Sequence, residues 1–366
     1  MRHQPYVNRR TVLQAAGVAA AAGLATTAPA SAASAAPASP AARVPRTLAS
    51  PVSSAAGRTV RADFPIEYVG VSWNGPRRGA GIRLLGQDGS RGEWTTLQPM
   101  CAGGADGDPA TRVGVLVPAG GAAGYEIRLP DGADDLRATA VDTVNGPTAA
   151  ASSDPATRSI EGVEYITRAG WGADESLRFK ADGSENSPPT YYPAQTLTVH
   201  HTAGVNGDPD PAATIRAYYY QHAITNDWGD IGYHFLIDEA GRIYEGRYSG
   251  DDGLPAHDTT GKMVTAFHAA GYNSGNLGIA LLGTFSDQST ATAARDSLTL
   301  LLATLSAVHG FDPQADVTFV NPVNGVTRNV PMISGHRDWL ATECPGTTLY
   351  GELPALRADV AAVFSG

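Results

Sequence analysis

Val199-His200-His201-Thr202-Ala203, read with Ser334-Gly335-His336-Arg337-Asp338 and Cys344-Pro345-Gly346, decides how this 366-residue chain folds. Leu197–Val199 is an apolar run that ends in a histidine, and Pro331–His336 ends in another. The pattern predicts two strands that carry imidazoles at the rim of a sheet. Seven residues separate His336 from Cys344, so one strand end and its following loop can supply two donors. Two imidazoles and a thiolate suit Zn²⁺, and three protein ligands with a fourth position open describe a catalytic zinc rather than a structural one. Taken singly, each residue reads equally well as a satisfied rim histidine or a buried cysteine; the grouping is what points to metal. A Cys101–Cys344 disulfide would consume the third ligand, and Cys101 reads instead as a small buried apolar residue.

Working outward, Thr196–His200, Gly232–Asp238, Arg242–Glu245, Leu277–Leu282 and Pro331–His336 read as strands. Asp210-Pro211 starts a helix, with a capping acid before a proline at the first helical position, and that helix runs to about His222. A second follows Ser289 or Thr290, carries Leu298, Leu301, Leu302, Leu305 and Val308 at helical spacing, and stops at Gly310. A third spans about Leu353–Phe364. Residues 159–366 are therefore expected to be an α/β (α+β) domain: a mixed central sheet flanked by helices, with the zinc site at the strand ends.

Residues 58–145 contain short β-prone runs punctuated by Gly, Pro and Asp, which predicts a small all-β, sandwich-like domain. Residues 146–158, opening on Asn145-Gly146-Pro147, read as a linker. Residues 33–57 are rich in Ala, Pro and Ser and read as a flexible leader. Residues 1–32 read as an export signal: Arg9-Arg10 precede an uncharged alanine-rich stretch and A-x-A cleavage triplets. The paired arginines resemble a twin-arginine signal. The expected location is secreted, associated with the cell wall, and the apolar run is too short to leave a membrane span in the mature protein.

The formal net charge is −10, and loss of Arg2, Arg9 and Arg10 with the signal makes the remainder more acidic. That argues against nucleic acid as a partner, since phosphate binding needs basic patches. No H-E-x-x-H or G-x-S-x-G sequence occurs, and the glycines at 103–107 lack the Lys-Ser/Thr ending of a phosphate loop.

Five blocks in order carry a resemblance: Ile166-Thr167-Arg168 with Trp171-Gly172-Ala173, then 199–203, Asp230–Phe235, Asn273–Ile279, and 335–346. Together they resemble the type 2 N-acetylmuramoyl-L-alanine amidases, which share a fold with the peptidoglycan recognition proteins. The resemblance implies His200, His336 and Cys344 as Zn²⁺ ligands, with His201 bracing the site or facing substrate. It implies an active enzyme, because members that only recognise the wall typically lack the cysteine. The implied reaction is hydrolysis of the amide between N-acetylmuramic acid and L-alanine in peptidoglycan. Tyr233 would stabilise the oxyanion, and Thr342, two before the cysteine, would orient water or oxyanion. His201, His222, Asp227, Trp228, His268 and Asn273 would contact the muramyl peptide. Asp227 stands where recognition members carry glycine before Trp228, which puts a diaminopimelate preference in doubt. A wall-binding module without turnover and a zinc peptidase acting within the stem peptide are the alternatives.

Overall fold

Alternation along two long strands explains the N-terminal half. The computed structural model describes residues 43–53, 56–98, 104–107, 112–150, 152 and 154–363. The export signal and Cys101 lie outside them. Six strands form one antiparallel sheet: β1 (Leu48–Ser53), β2 (Thr59–Asn74), β3 (Gly81–Leu85), β4 (Thr95–Thr96), β5 (Arg112–Arg128) and β6 (Asp134–Asp142), in the order β1-β6-β2-β5-β3-β4. Shifts of register between Arg61 and Tyr68 bend β2, and β5 turns at Gly120 and Gly121, both at positive φ. The halves of this single bent sheet enclose Val69, Val71, Trp73, Ile82, Val113, Val115, Tyr125, Ile127, Ala138 and Ala140. It is one sheet folded over its own core, the all-β, sandwich-like half that the sequence predicts. Within the stretch read as a leader, Arg43–Pro45 pairs with Thr148–Ala150, and β1 is an edge of the sheet.

The second half is a seven-stranded mixed sheet. Its strands are β7 (Thr157–Ile160), β8 (Val163–Ile166), β9 (Thr196–His201), β10 (Phe235–Ile237), β11 (Ile243–Glu245), β12 (Asn276–Leu281) and β13 (Ile333–Gly335), in the order β13-β9-β12-β10-β11-β8-β7. β9 runs parallel to β12 and β13, and β10 parallel to β12. Odd-numbered β9 residues Leu197 and Val199 enter one core with Leu298, Leu302, Leu353 and Leu356. Those leucines belong to helices α2 (Thr292–His309) and α3 (Thr347–Val363), while α1 (Pro211–Tyr220) covers the opposite face. Asp210 caps α1 by accepting from the Ala213 amide at 3.0 Å, and Gly310 ends α2 at φ 69°. α3 begins several residues before the sequence signal, and a π-helical turn, Gln221–Thr225, extends α1. Among the described residues, no helix is long and apolar enough to cross a membrane.

The two sheets pack together within one compact unit, residues Ala41–Gly366. The even-numbered face of β2 and β5 turns away from its own core and onto α1 and the π turn. Gly70 and Gly114 allow close approach there: a Cβ at Gly70 would sit 1.9 Å from Gln221 Oε1, and one at Gly114 2.8 Å from Asn226 Oδ1. Between them, Ser72 Oγ donates to the Thr225 carbonyl at 3.0 Å, and Thr139 and Thr225 hydroxyls meet at 3.0 Å. Leu116 and Val141 enter the core around Ile215, Tyr218 and Tyr233.

Candidate metal centre

Strand alternation separates the histidine doublet. Successive side chains of β9 point to opposite faces. His201 falls on the face of Leu197 and Val199, where its Nδ1 accepts from the Phe285 amide at 3.3 Å. His200 falls on the other face, beside His336, with ring centroids 4.6 Å apart. His336 opens a short 3₁₀ turn directly after β13. That turn is pinned by the Gly335 amide donating to Asp338 at 2.8 Å and the Arg337 amide donating to the Cys344 carbonyl at 3.0 Å. The loop so held returns Cys344 to the strand ends.

The donor atoms of His200, His336 and Cys344 lie within 4.8 Å of one another, and all three residues are buried. Cys344 Sγ is 3.7 Å from His200 Nδ1. Tetrahedral zinc with its usual bond lengths would hold nitrogen and sulfur about 3.5 Å apart, so the donor set fits that ion. The His201 backbone amide points at Cys344 Sγ from 3.4 Å, a donor that favours the thiolate.

A relay behind the cluster fixes the tautomer of His200. His268 Nε2 lies 2.9 Å from the Asn276 carbonyl, which can only accept, so this nitrogen carries the hydrogen. His268 Nδ1 is then an acceptor, and His200 Nε2, 2.9 Å away, donates to it. The lone pair of His200 is left on Nδ1, facing the thiol. Burial holds the His268 pKa well below the ordinary histidine value, with the neighbouring His200 and His234 adding to the effect, so the ring stays neutral. A metal-ligating histidine oriented through its second nitrogen is the usual arrangement. His268, buried, therefore stands behind the candidate ligand His200. Its partner is 68 positions away, so no local spacing announces it.

Tyr233 is 1 % exposed, with its ring 5.3 Å from that of His200 and 5.6 Å from that of His222. The segment before it is anchored by a buried ion pair. Arg168 Nη1 meets Asp230 Oδ1 at 3.0 Å, and the Ile231 and Tyr248 amides donate to the same carboxylate at 2.7 and 2.9 Å. Two of the sequence blocks thus meet in an ion pair three residues before Tyr233. Thr342 is half-buried, and its Oγ1 accepts from the Cys344 amide at 3.3 Å. Glu343 is exposed.

The remaining expected contacts are placed as follows. His222 Nδ1 accepts from the Gly232 amide at 3.0 Å, and its ring lies 4.8 Å from Trp228. Asp227 adopts φ 64°, where glycine is at ease and aspartate is tolerated. Its carboxylate accepts from Asn186 Nδ2 at 2.9 Å and faces Arg137 of β6 at 3.6 Å. His222, Trp228 and Asn273 are buried, and a small gap beside His222, Trp228 and Tyr233 is closed by Gly114–Leu116 of β5. The sequence reading treated the N-terminal strands as separate and missed this cover. The small side chains at 70, 72, 114 and 139 are the one signal that could have revealed it.

Comparison with known proteins places these observations. The family profile described as N-acetylmuramoyl-L-alanine amidase matches residues 190–347, from just before β9 to just past Cys344. Peptidoglycan-recognition protein SC2 of Drosophila melanogaster is 30% identical over 201 residues, covering 54% of this chain and 88% of that protein. A human N-acetylmuramoyl-L-alanine amidase is 30% identical over 163 residues, covering 43% of this chain and 23% of that protein. Among solved structures, Drosophila PGRP-LB is 26% identical, with 52% of this chain and 92% of that chain covered and a TM-score of 0.38.

Proposed function

The chain belongs to the family of peptidoglycan recognition proteins and type 2 N-acetylmuramoyl-L-alanine amidases, and from that premise we propose that it is a secreted, zinc-dependent amidase. It would hydrolyse the amide between N-acetylmuramic acid and L-alanine in peptidoglycan. The observation that carries this reading is the convergence of His200, His336 and Cys344, with donor atoms within 4.8 Å. Cys344 matters most, because the thiolate completes a donor set that a pure recognition site does not need.

Zinc held by these three side chains would acidify water toward neutral pH and polarise a carbonyl. The protein's own groups do the rest. His268 keeps His200 in the tautomer that offers Nδ1 and holds its ring in one orientation. Tyr233, immobilised through the Arg168–Asp230 pair, supplies a donor to the oxyanion that forms at the lactyl carbonyl. Thr342 ties down the Cys344 amide and keeps its hydroxyl hydrogen for a water or the oxyanion. His201 braces the far side of β9 through Phe285. His222, Trp228 and Asn273 form the wall for the stem peptide. Asp227, engaged with Asn186 and Arg137, contributes to the edge of that wall rather than reading the third stem residue.

Mass spectrometry of purified peptidoglycan digested with and without a zinc chelator tests the reading. The expected products are free stem peptides beginning with L-alanine, lost on chelation and restored by Zn²⁺. New termini inside the stem peptide would make the protein a peptidase, and bound but intact peptidoglycan would make it a recognition module.

A further inference from the structure

The wall residue Asn273 is occupied from within the chain. Its side-chain Oδ1 accepts from the His268 and Ala269 amides at 2.9 and 2.8 Å, so the NH₂ of the side chain must face the other way. On that side lies a short piece of the N-terminal half, Gly104–Gly107. Asp106 Oδ1 accepts from the Asn273 backbone amide and from Asn273 Nδ2, both at 3.0 Å. Asp106 Oδ2 accepts from the Ser274 amide at 2.8 Å, and the Gly104 carbonyl accepts from Asn273 Nδ2 at 2.8 Å. Three N–H groups converge on one carboxylate, which is a receptor for an anion and not only a loop tie. The loop that forms this receptor begins at His268, whose ring bonds His200 from behind.

We propose that Gly104–Gly107 is an autoinhibitory strap, in which Asp106 imitates a carboxylate of the acidic stem peptide and competes with it for Asn273 and Ser274. The proposal rests on the reading that Asn273 lines the substrate wall. The rest of the N-terminal sheet is built differently from the strap. Its contact with α1 and the π turn is fully buried and lined by Gly70, Gly114, Ser72, Leu116, Thr139 and Val141, which makes it a permanent dock. Asp106 and its neighbours are only half-buried to exposed. The strap can therefore leave Asn273 while the sheet stays in place as the second wall. A strap that is mostly closed lowers apparent affinity by the fraction of open molecules and leaves the chemical step untouched.

The test uses the full chain as wild type, Asp106→Ala and Asp106→Asn, with a fluorescent N-acetylmuramoyl pentapeptide as probe. Binding is read by anisotropy on chelator-treated protein, and turnover on the zinc-loaded protein. Asp106→Ala is expected to lower Kd and KM by about tenfold or more with kcat unchanged, since it removes charge-assisted contacts that hold the closed state. Asp106→Asn, which keeps one acceptor oxygen, falls between and guards against a folding defect in the alanine variant. Without peptide, the Asn273 and Ser274 amides that donate to Asp106 should be protected from hydrogen exchange in wild type and lose protection in Asp106→Ala, and added peptide should restore it. Tighter binding by the variants without turnover in any of the three would support the strap and overturn the amidase reading. Equal or weaker binding by both variants would overturn the strap and leave the amidase reading to its own assay. No binding by any chain would overturn both.

Discussion

In the mixed sheet, the polar side chains that turn inward are Thr198, His200, Asn276 and Ser334; in the bent N-terminal sheet, the corresponding positions are Gly70, Ser72, Gly114 and Thr139. The first set closes on itself. Thr198 Oγ1 bonds Asn276 Oδ1 at 2.7 Å and Ser334 Oγ at 3.0 Å, and Trp339 Nε1 donates to Thr198 at 2.8 Å. Bonds among Thr198, Ser334 and Trp339 within one layer rigidify the strands that carry His200 and His336. The second set bonds outward, from Ser72 and Thr139 to Thr225 of the π turn. Buried polar groups need partners in either case. Where the partners lie separates a site from an interface.

The largest expected effect breaks the comparison on the site side. Cys344→Ala removes the soft ligand, and zinc content and turnover should both fall by more than the ~100-fold that outer-shell partners carry. Full turnover at stoichiometric purity would remove Cys344 from the site. Tyr233→Phe should retain zinc and lose on the order of 10²-fold in kcat. A wild-type rate there would reduce Tyr233 to a packing residue.

A pH experiment sharpens the contrast, because residues 43–150 contain no histidine. Burial drives the His234 pKa down to about 3, partly offset by its Nε2–H bond to the Val264 carbonyl. A depressed folded pKa means that the contribution is whole above about 6.5 and is lost as pH falls from there toward 3. At pH 5 the loss should be about 2 kcal/mol, read as a lower urea midpoint than at pH 7. Hydrogen exchange should show the mixed sheet opening before the N-terminal one, and the reverse order would refute the assignment. The smallest effect lies on the interface side. Gly114→Ala places a Cβ 2.8 Å from Asn226 Oδ1 and should cost about 1 kcal/mol in the dock, with kcat unchanged. An altered kcat would mean that dock and site are coupled.

These two regions were unequally legible in the sequence. β9 and β13 announce themselves because apolar runs lead into histidines, β12 as a continuous apolar run, and Asp210-Pro211 and Gly310 mark helix ends by mechanisms confined to a few neighbours. The histidine doublet needed only the two-residue period of a strand to be resolved once its face was known. The N-terminal strands alternate just as clearly, but glycine, serine and threonine on the second face read as solvent-facing. Only the partner layer at Gln221–Asn226 shows that they are buried. β1 was lost because Ala, Pro and Ser dominate it, and its strand character comes from pairing with β6. The ties from Asp106 to Asn273 and from His268 to His200 are invisible for a related reason: they span 167 and 68 positions.

X-ray absorption at the zinc edge of the purified, active protein tests the central claim most directly. The account predicts two nitrogen scatterers at about 2.0 Å and one sulfur at about 2.3 Å, with one further light atom. A spectrum without sulfur, or a protein that is active with no zinc at all, would contradict it.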